Sequence, residues 1–371
     1  MKIVCDRSAL VDSLALARGV VASRSPTPVL TCLKLAAGDQ GLSITGTDGE
    51  AGLVLGVGSV EVREPGECLV PADKFDQVVR SLDGDDTVTL ETERTMLHVR
   101  GSASHFKIFG YEVGDFPGVR PFPQDVAGFA IEAGSLKKMI GRTLFATAVE
   151  NSRYAISGVL LERQGKKLRM VATDGRRLAL ARGECRGEDG DFNAIVPGKT
   201  LNVLGRLLVD PEESVQVVRQ GSLIWFRVGD GPDAACLSSS LVEGVFPPFE
   251  DVIPKDHDKR VTFDIDELAG AVRRAALLTN EESRGVRLAF SDRKLTLTSR
   301  APEMGEAEIN VDLEKYEGEP LEIGFNPAQL TDALKVIDGN EVIMELKSAN
   351  KPGVIRSGSD FTYVVMPMTL G

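Results

Sequence analysis

Asp48 and Asp174 recur in matching T-D-G triplets, and paired carboxylates can divide the acid and base roles of a catalytic step. The corresponding stretch further along the chain has Arg300 there, and T-D-G is a turn that the Asp side chain stabilises locally. No G-x-x-x-x-G-K-[ST] phosphate loop and no H-E-x-x-H zinc motif is present. His98, His105 and His257 have no metal-ligand spacing. Cys5, Cys32, Cys68, Cys185 and Cys236 are odd in number, scattered and without a C-x-x-C pair, so reduced, packed thiols are expected. No catalytic residue, metal or cofactor is assigned, and the chain reads as a non-enzyme.

Two other groupings offer binding chemistry. Six segments of helical character (7–22, 73–82, 135–148, 199–208, 266–279 and 327–338) hold twelve Lys and Arg against seven Asp and Glu. They carry a net +5, while the whole chain carries −12. Basic helices on an acidic body suit one face for a polyanion and another that repels it. Segment 135–148, with Lys137, Lys138, Arg142 and no acid, is the strongest of the six. One Trp and four Tyr are too few for a base-stacking platform, which disfavours single-stranded nucleic acid. The second grouping is the tail YVVMPMTLG, where Val364, Val365, Met366, Met368 and Leu370 place apolar side chains at a terminus. Flexible, polarisable Met suits a surface that accepts several apolar partners, and an extended peptide with two or three anchors fits such a groove.

The elements that position these residues repeat three times. A first helix begins around Leu10, Leu136 and Leu268, with apolar residues at helical spacing and with Ser135 and Asp266 as candidate N-caps in the second and third copies. Strand-like segments and a hairpin follow in each copy: VLTCLKLAAGDQGLSITGTD, AISGVLLERQGKKLRMVATD and GVRLAFSDRKLTLTSR. A second helix with Pro at its start follows Val70, Val196 and Phe325, and a β-meander closes each copy. The offsets are 126 and 129 residues for the second helix, 126 and 132 for the first. Each copy is expected to hold two helices and about eight strands, with the helices on one face of antiparallel sheet, an α+β arrangement. Pro- and Gly-containing stretches at 121–128 and 252–260 are the expected linkers, giving domains 1–125, 126–254 and 255–371. The length fits two or three domains, the balance of charged and apolar residues is that of a folded protein, and no apolar run of membrane-spanning length appears. A cytoplasmic location is expected.

The motifs TGTD (45–48), ENSRYAISGVLLE (150–162), VATDGRRLAL (171–180), SLVEGVFPPFEDVIP (240–254), TNEESRGVRL (279–288) and YVVMPMTL (363–370) come in this order on the threefold repeat. With them the chain resembles the bacterial DNA polymerase III β subunit family, the replicative sliding clamps, over essentially its whole length. The resemblance implies three tandem DNA-clamp domains in each of two chains, closed head-to-tail into a homodimeric ring. Helices would line a central hole that encircles double-stranded DNA without regard to sequence, so that the ring acts as a processivity factor at replication forks on the nucleoid. The DNA-facing residues it implies are Arg24, Lys74, Lys137, Lys138, Arg142, Arg153, Tyr154, Lys199, Arg273, Arg274 and Arg284.

The resemblance also implies a protein-binding cleft between the second and third domains. Its matching residues are Ile156, Thr173, Gly175, Arg176, Arg177, Leu178, Pro247, Val252, Val364, Val365, Met366, Pro367, Met368 and Leu370. The implied partners are the DNA polymerase III alpha subunit, the clamp loader and other replication and repair proteins that carry linear hydrophobic motifs, with no membrane contact. Arg176, Asp251 and Thr369 stand where other members often differ, which bears on peptide preference. The competing reading is a β-rich interaction scaffold whose tail groove binds peptides but which does not encircle DNA.

Overall fold

The structure, a computed structural model, describes residues 1–148, 155–187, 190–280 and 285–369. The first copy opens with β1 (Lys2–Asp6), α1 (Arg7–Ala17), β2 (Cys32–Gly38), β3 (Gly41–Thr47) and β4 (Ala51–Val57). It continues through β5 (Val60–Glu64), β6 (Gly66–Pro71), α2 (Ala72–Ser81), β7 (Thr87–Glu93), β8 (Met96–Arg100) and β9 (His105–Phe109). The second copy has β10 (Phe129–Glu132), α3 (Ala133–Thr143), β11 (Gly158–Gln164), β12 (Lys167–Thr173) and β13 (Arg177–Glu184). After these come β14 (Phe192–Pro197), α4 (Gly198–Leu207), β15 (Ser214–Gln220), β16 (Leu223–Val228) and β17 (Ala235–Ser240). The third copy has β18 (Lys259–Asp264), α5 (Ile265–Ala276), β19 (Val286–Ser291), β20 (Lys294–Ala301), β21 (Gly305–Asp312) and β22 (Tyr316–Glu317). It ends with β23 (Leu321–Phe325), α6 (Pro327–Leu334), β24 (Glu341–Leu346), β25 (Gly353–Ser357) and β26 (Phe361–Val365).

The first helix of each copy starts earlier than the apolar spacing places it. Asp6 and Asp264 are extended, and their carboxylates accept the N–H of Ala9 at 2.8 Å and of Glu267 at 2.9 Å. Each satisfies a donor that the first helical turn cannot pair. Ser135 and Asp266, the candidate caps, therefore lie inside the first turns of α3 and α5, because the chain is already helical when it reaches them. The second helices start as the Pro positions imply. Pro71 and Pro197 stand immediately before α2 and α4, and Pro327 is the first residue of α6.

Two compact units result: Met1–Lys137 with Cys185–Gly190 and Val196–Val242, and Lys138–Glu184 with Asp191–Ile195 and Glu243–Gly371. The first unit holds a five-stranded sheet in the order β5-β1-β7-β8-β9 and an eight-stranded sheet, β10-β15-β16-β17-β4-β3-β2-β6. The second holds a nine-stranded sheet, β14-β11-β12-β13-β26-β25-β24-β18-β22, and a four-stranded sheet, β21-β20-β19-β23. The two large sheets thus each join strands from adjacent copies, through β17–β4 and β13–β26. Repeat periodicity says nothing about which edges meet, so this pairing was not among the expectations.

The hairpin turns also correct one correspondence. Two-residue turns after Gly38, Gln164 and Ser291 align Gly41, Lys167 and Lys294. In that register Arg300 matches Thr47 and Thr173, and Ala301 stands at the aspartate position.

Candidate functional site

The tail groove is built from β13, β26 and the residues that follow. Tyr363, Val364 and Val365 are fully buried, with Val365 opposite Arg177 and Val364 opposite Leu178 in the β13–β26 ladder. Beyond the strand, Met366 donates its N–H to Arg176 O at 2.9 Å, and Met368 donates to Gly324 O at 2.8 Å. The tail is therefore held at two points by backbone bonds. Met366 is 40% exposed, and Pro367 and Met368 are half-buried. Beside them opens a cavity of 540 Å³ whose walls include Arg287, Ile323, Asn350 and Met366–Thr369.

Residues 173–177, which the sequence reading assigns to the cleft, are shaped by the T-D-G turn. Thr173 Oγ1 donates to Arg177 O and accepts from Gly175 N, while Asp174 Oδ1 accepts from the N–H groups of Arg176 and Arg177. Gly175 has φ +86°, which costs a side-chain-bearing residue strain and explains its type. Thr47, Asp48 and Gly49 make the equivalent bonds in the first copy. These aspartates thus serve turn geometry in both places.

Arg177 ties this turn to its surroundings. Its guanidinium meets Asp174 at 2.9 Å, Asp332 at 2.8 Å and Phe145 O at 2.8 Å, and lies over the Phe145 ring at 5.4 Å. Burial alone would ease its deprotonation, but the Asp332 hydrogen bond and then Tyr363 and Asp174 hold its pKa above the ordinary arginine value. The segment carrying Pro247 and Val252 is pinned by Arg169 through Glu250 and Phe249. The Arg169 side chain meets Glu250 at 2.7 Å and Glu162, and covers the Phe249 ring at 5.5 Å.

Of the cleft residues inferred from sequence, Ile156, Thr173, Leu178, Val364 and Val365 are buried support. Gly175, Arg176, Val252 (45% exposed), Met366, Pro367 and Met368 offer surface, with Pro247 half-buried. Leu370 lies outside the described residues. The Arg169–Glu250 latch was not anticipated, because nothing in the sequence links two residues so far apart in the chain.

The basic helix positions separate into paired and unpaired cations. Arg142 corrects the sequence reading: it is only 3% exposed, bonded to Asp360 at 2.8 Å and stacked over Phe361 at 5.4 Å, so its charge is internal. Lys138 shares Asp338 and Asp360 with it, Lys137 donates to Leu208 O, and Lys199 donates to Val20 O and pairs with Asp48. Arg24, Lys74, Arg273 and Arg274 are exposed, and among the described residues none of them has a carboxylate partner. Arg206, on the last turn of α4, is exposed and unpaired in the same way but was not singled out from the sequence. Arg153, Tyr154 and Arg284 fall outside the described residues. Among the described residues no cluster of three or more His, Cys, Asp or Glu could hold a metal ion, and no helix is long and apolar enough to cross a membrane.

Comparison with known proteins finds similarity along nearly the whole chain. Residues 1–120, 130–248 and 250–369 match in turn the N-terminal, central and C-terminal domains of the DNA polymerase III beta subunit. The chain is 38% identical to the beta sliding clamp of Pseudomonas putida and 35% identical to that of Escherichia coli K12, each over 100% of both chains. Among solved structures it is similar to a Pseudomonas aeruginosa sliding clamp bound to griselimycin, with a TM-score of 0.91, 38% identity and full coverage of both chains. The Bacillus subtilis DNA polymerase sliding clamp gives a TM-score of 0.91 at 27% identity, again over both whole chains. The chain therefore belongs to the DNA polymerase III beta subunit family, the bacterial sliding clamps.

Proposed function

We propose that two copies of this chain close head-to-tail into a ring that encircles duplex DNA and tethers the replicative polymerase to it without performing chemistry. The observation that carries this reading is an unfinished pattern of edges. The fourth sheet position of the first copy, β4, pairs with the closing strand of the second, β17; likewise β13 of the second copy pairs with β26 of the third. The same logic leaves β21 of the third copy and β9 of the first as open edges. Open edges invite pairing, and a heterologous contact repeated by a closing rotation makes a ring.

The unpaired cations Arg24, Lys74, Arg206, Arg273 and Arg274 suit phosphates, and the acidic remainder discourages adhesion elsewhere. With retention by topology, weak sequence-independent contacts suffice and allow sliding. The Met366–Met368 groove suits linear apolar motifs of the polymerase alpha subunit, the clamp loader and repair proteins, and a cytoplasmic, nucleoid-associated site of action follows from those partners.

The test is to load the protein with a clamp loader onto nicked circular DNA and then linearise the circle. A ring runs off the ends; retention unaffected by linearisation overturns the topological reading and favours a peptide-binding scaffold.

A further inference from the structure

Arg169 of β12 stands directly opposite Arg182 of β13, and Arg356 of β25 stands directly opposite Thr362 of β26. Thr362 in turn lies opposite Leu180, two residues before Arg182 on β13. The three arginines and the threonine therefore share one face of the nine-stranded sheet. Like charges directly opposite in a sheet are destabilising, and the carboxylates close by are already committed. Glu162 and Glu250 hold Arg169, and Asp360 holds Arg142 and Lys138. The buried Glu345 is shared by Arg356 at 2.7 Å and His257 at 3.3 Å. Arg182 is exposed, and among the described residues it has no carboxylate partner.

The groups that do meet Arg182 bring no negative charge. Its Nη1 donates to Thr362 Oγ1 at 3.1 Å and to Ser359 O at 3.5 Å. Arg356 Nη1 donates to the same Thr362 oxygen, also at 3.1 Å. A hydroxyl oxygen has two lone pairs and one proton to give. Both lone pairs of Thr362, which is 1% exposed, are thus taken by guanidinium donors, and among the described residues its proton has no acceptor. The Nε and Nη2 N–H groups of Arg182 have none among them either. Two guanidinium forks and a hydroxyl converge here with donors left over and no acceptor to receive them. Burial, followed by the like charges of Arg356 and Arg169, lowers the Arg182 pKa from its ordinary value against the opposing pull of Asp360.

We infer that Arg182, Arg356 and Thr362 form an oxyanion site that takes one phosphate or carboxylate group, with Arg182 as its principal donor and Arg169 adding charge from the next strand. Guanidinium forks match both groups in shape and hold them with charge-assisted hydrogen bonds. Thr362 shares its face of β26 with Val364, two residues or about 7 Å further along the strand, where the tail groove begins. An acidic side chain of a partner polypeptide and free inorganic phosphate present the same chemistry to such a site. The site does not depend on ring closure, because every residue in it belongs to one compact unit of a single chain.

Equilibrium dialysis of the full chain against labelled inorganic phosphate in chloride buffer tests the site. The wild type should take up one phosphate per chain saturably, and Arg182→Gln should weaken that uptake about tenfold. Arg182→Lys, which keeps the charge but loses the fork, should retain only part of it. Lys351→Gln, at an exposed residue between β24 and β25, removes the same charge and should leave uptake unchanged. The thermal midpoint gives a second reading, with a change of sign. In chloride Arg182→Gln should be at least as stable as the wild type, because it removes a like charge opposite Arg169. In phosphate the wild type should gain more than the general stabilisation that an excluded salt gives the variant. Displacement of the phosphate by a capped tetraglutamate peptide supports the site and assigns its ligand to an acidic polypeptide; uptake that the peptide leaves intact supports it with the free anion as ligand. Absence of saturable uptake, uptake that Arg182→Gln does not change, or an equal response of both midpoints to phosphate overturns the site.

Discussion

Arg142 of α3 and Asp360, at the turn before β26, lie 2.8 Å apart, and the Arg142 Nε beside this contact is buried with no hydrogen-bond partner among the described residues. A cation so placed is a fastener between a helix and the last strand. Removing one member of such a pair leaves the other partly uncompensated.

Arg142→Met should therefore lower the urea midpoint by the equivalent of about 1–3 kcal/mol, below the fully buried range because Asp360 is partly exposed and keeps Lys138. Its affinity for duplex DNA should stay at the wild-type level. Normal stability with weakened DNA binding would return Arg142 to the phosphate-facing set.

The exposed pair Arg273 and Arg274 should behave in the opposite way. Replacing both by Ala should leave the unfolding midpoint within about 0.5 kcal/mol, as expected for surface changes. The slope of log affinity for a short duplex against log salt should shrink by about 1.8, since each neutralised phosphate contributes about 0.9 to it. Fluorescence anisotropy across a salt series measures both affinity and slope, and an unchanged slope would remove these two residues from the interface.

Among the described residues of the tail segment, Met366 is the most exposed large apolar side chain. Met366→Ala should weaken a peptide from the polymerase alpha subunit by about tenfold, or ~1.4 kcal/mol. Deleting residues 366–371 should abolish that binding without altering the dimer mass. Peptide affinity that survives the deletion would move the binding site elsewhere.

Acid stability offers a check on the turn at Asp48. Burial opposes ionisation of this carboxyl, but the Lys199 hydrogen bond, followed by the N–H groups of Ala51 and Glu50, holds its pKa below the ordinary value of 3.8. A carboxyl whose folded pKa is depressed stabilises the fold above its unfolded pKa and loses that contribution as pH falls through the folded one. The stability gap between the wild type and Lys199→Met should thus be full at pH 5–7 and close below about pH 4. A gap that persists at lower pH would mean that Lys199 acts through its hydrogen bond to Val20 O.

The sequence made the repeat legible because cap, hairpin and Pro-led helix recur at nearly constant spacing, and each is a local signal. The tail reading drew on apolar residues close together in the chain, Val364, Val365, Met366 and Met368, which is also a local signal. The pairing of β4 with β17 was not legible, since a strand's alternation shows which face is buried and is silent about which neighbour lies at its edge. Arg142 was misplaced for a related reason: it sits on a basic helix stretch with Lys137 and Lys138, and only the arrival of Asp360 and Phe361 from over two hundred residues away decides that it points inward. Asp264 and Asp266 lie within one turn of each other, so only the backbone angles show that Asp264 is the cap.

The pattern of edges has a further consequence for how such a ring comes apart. In the proposed ring, two chains of three copies would meet at six joints; four would lie within a chain, as β4–β17 and β13–β26 do, and two would depend on how many molecules are present. Tethered contacts experience a local concentration in the millimolar range whatever the dilution, while free ones follow mass action. In such a ring, scarcity of protein, or a loader that holds one chain, would therefore work on the free joints alone, and the covalent connectivity would decide where it opens.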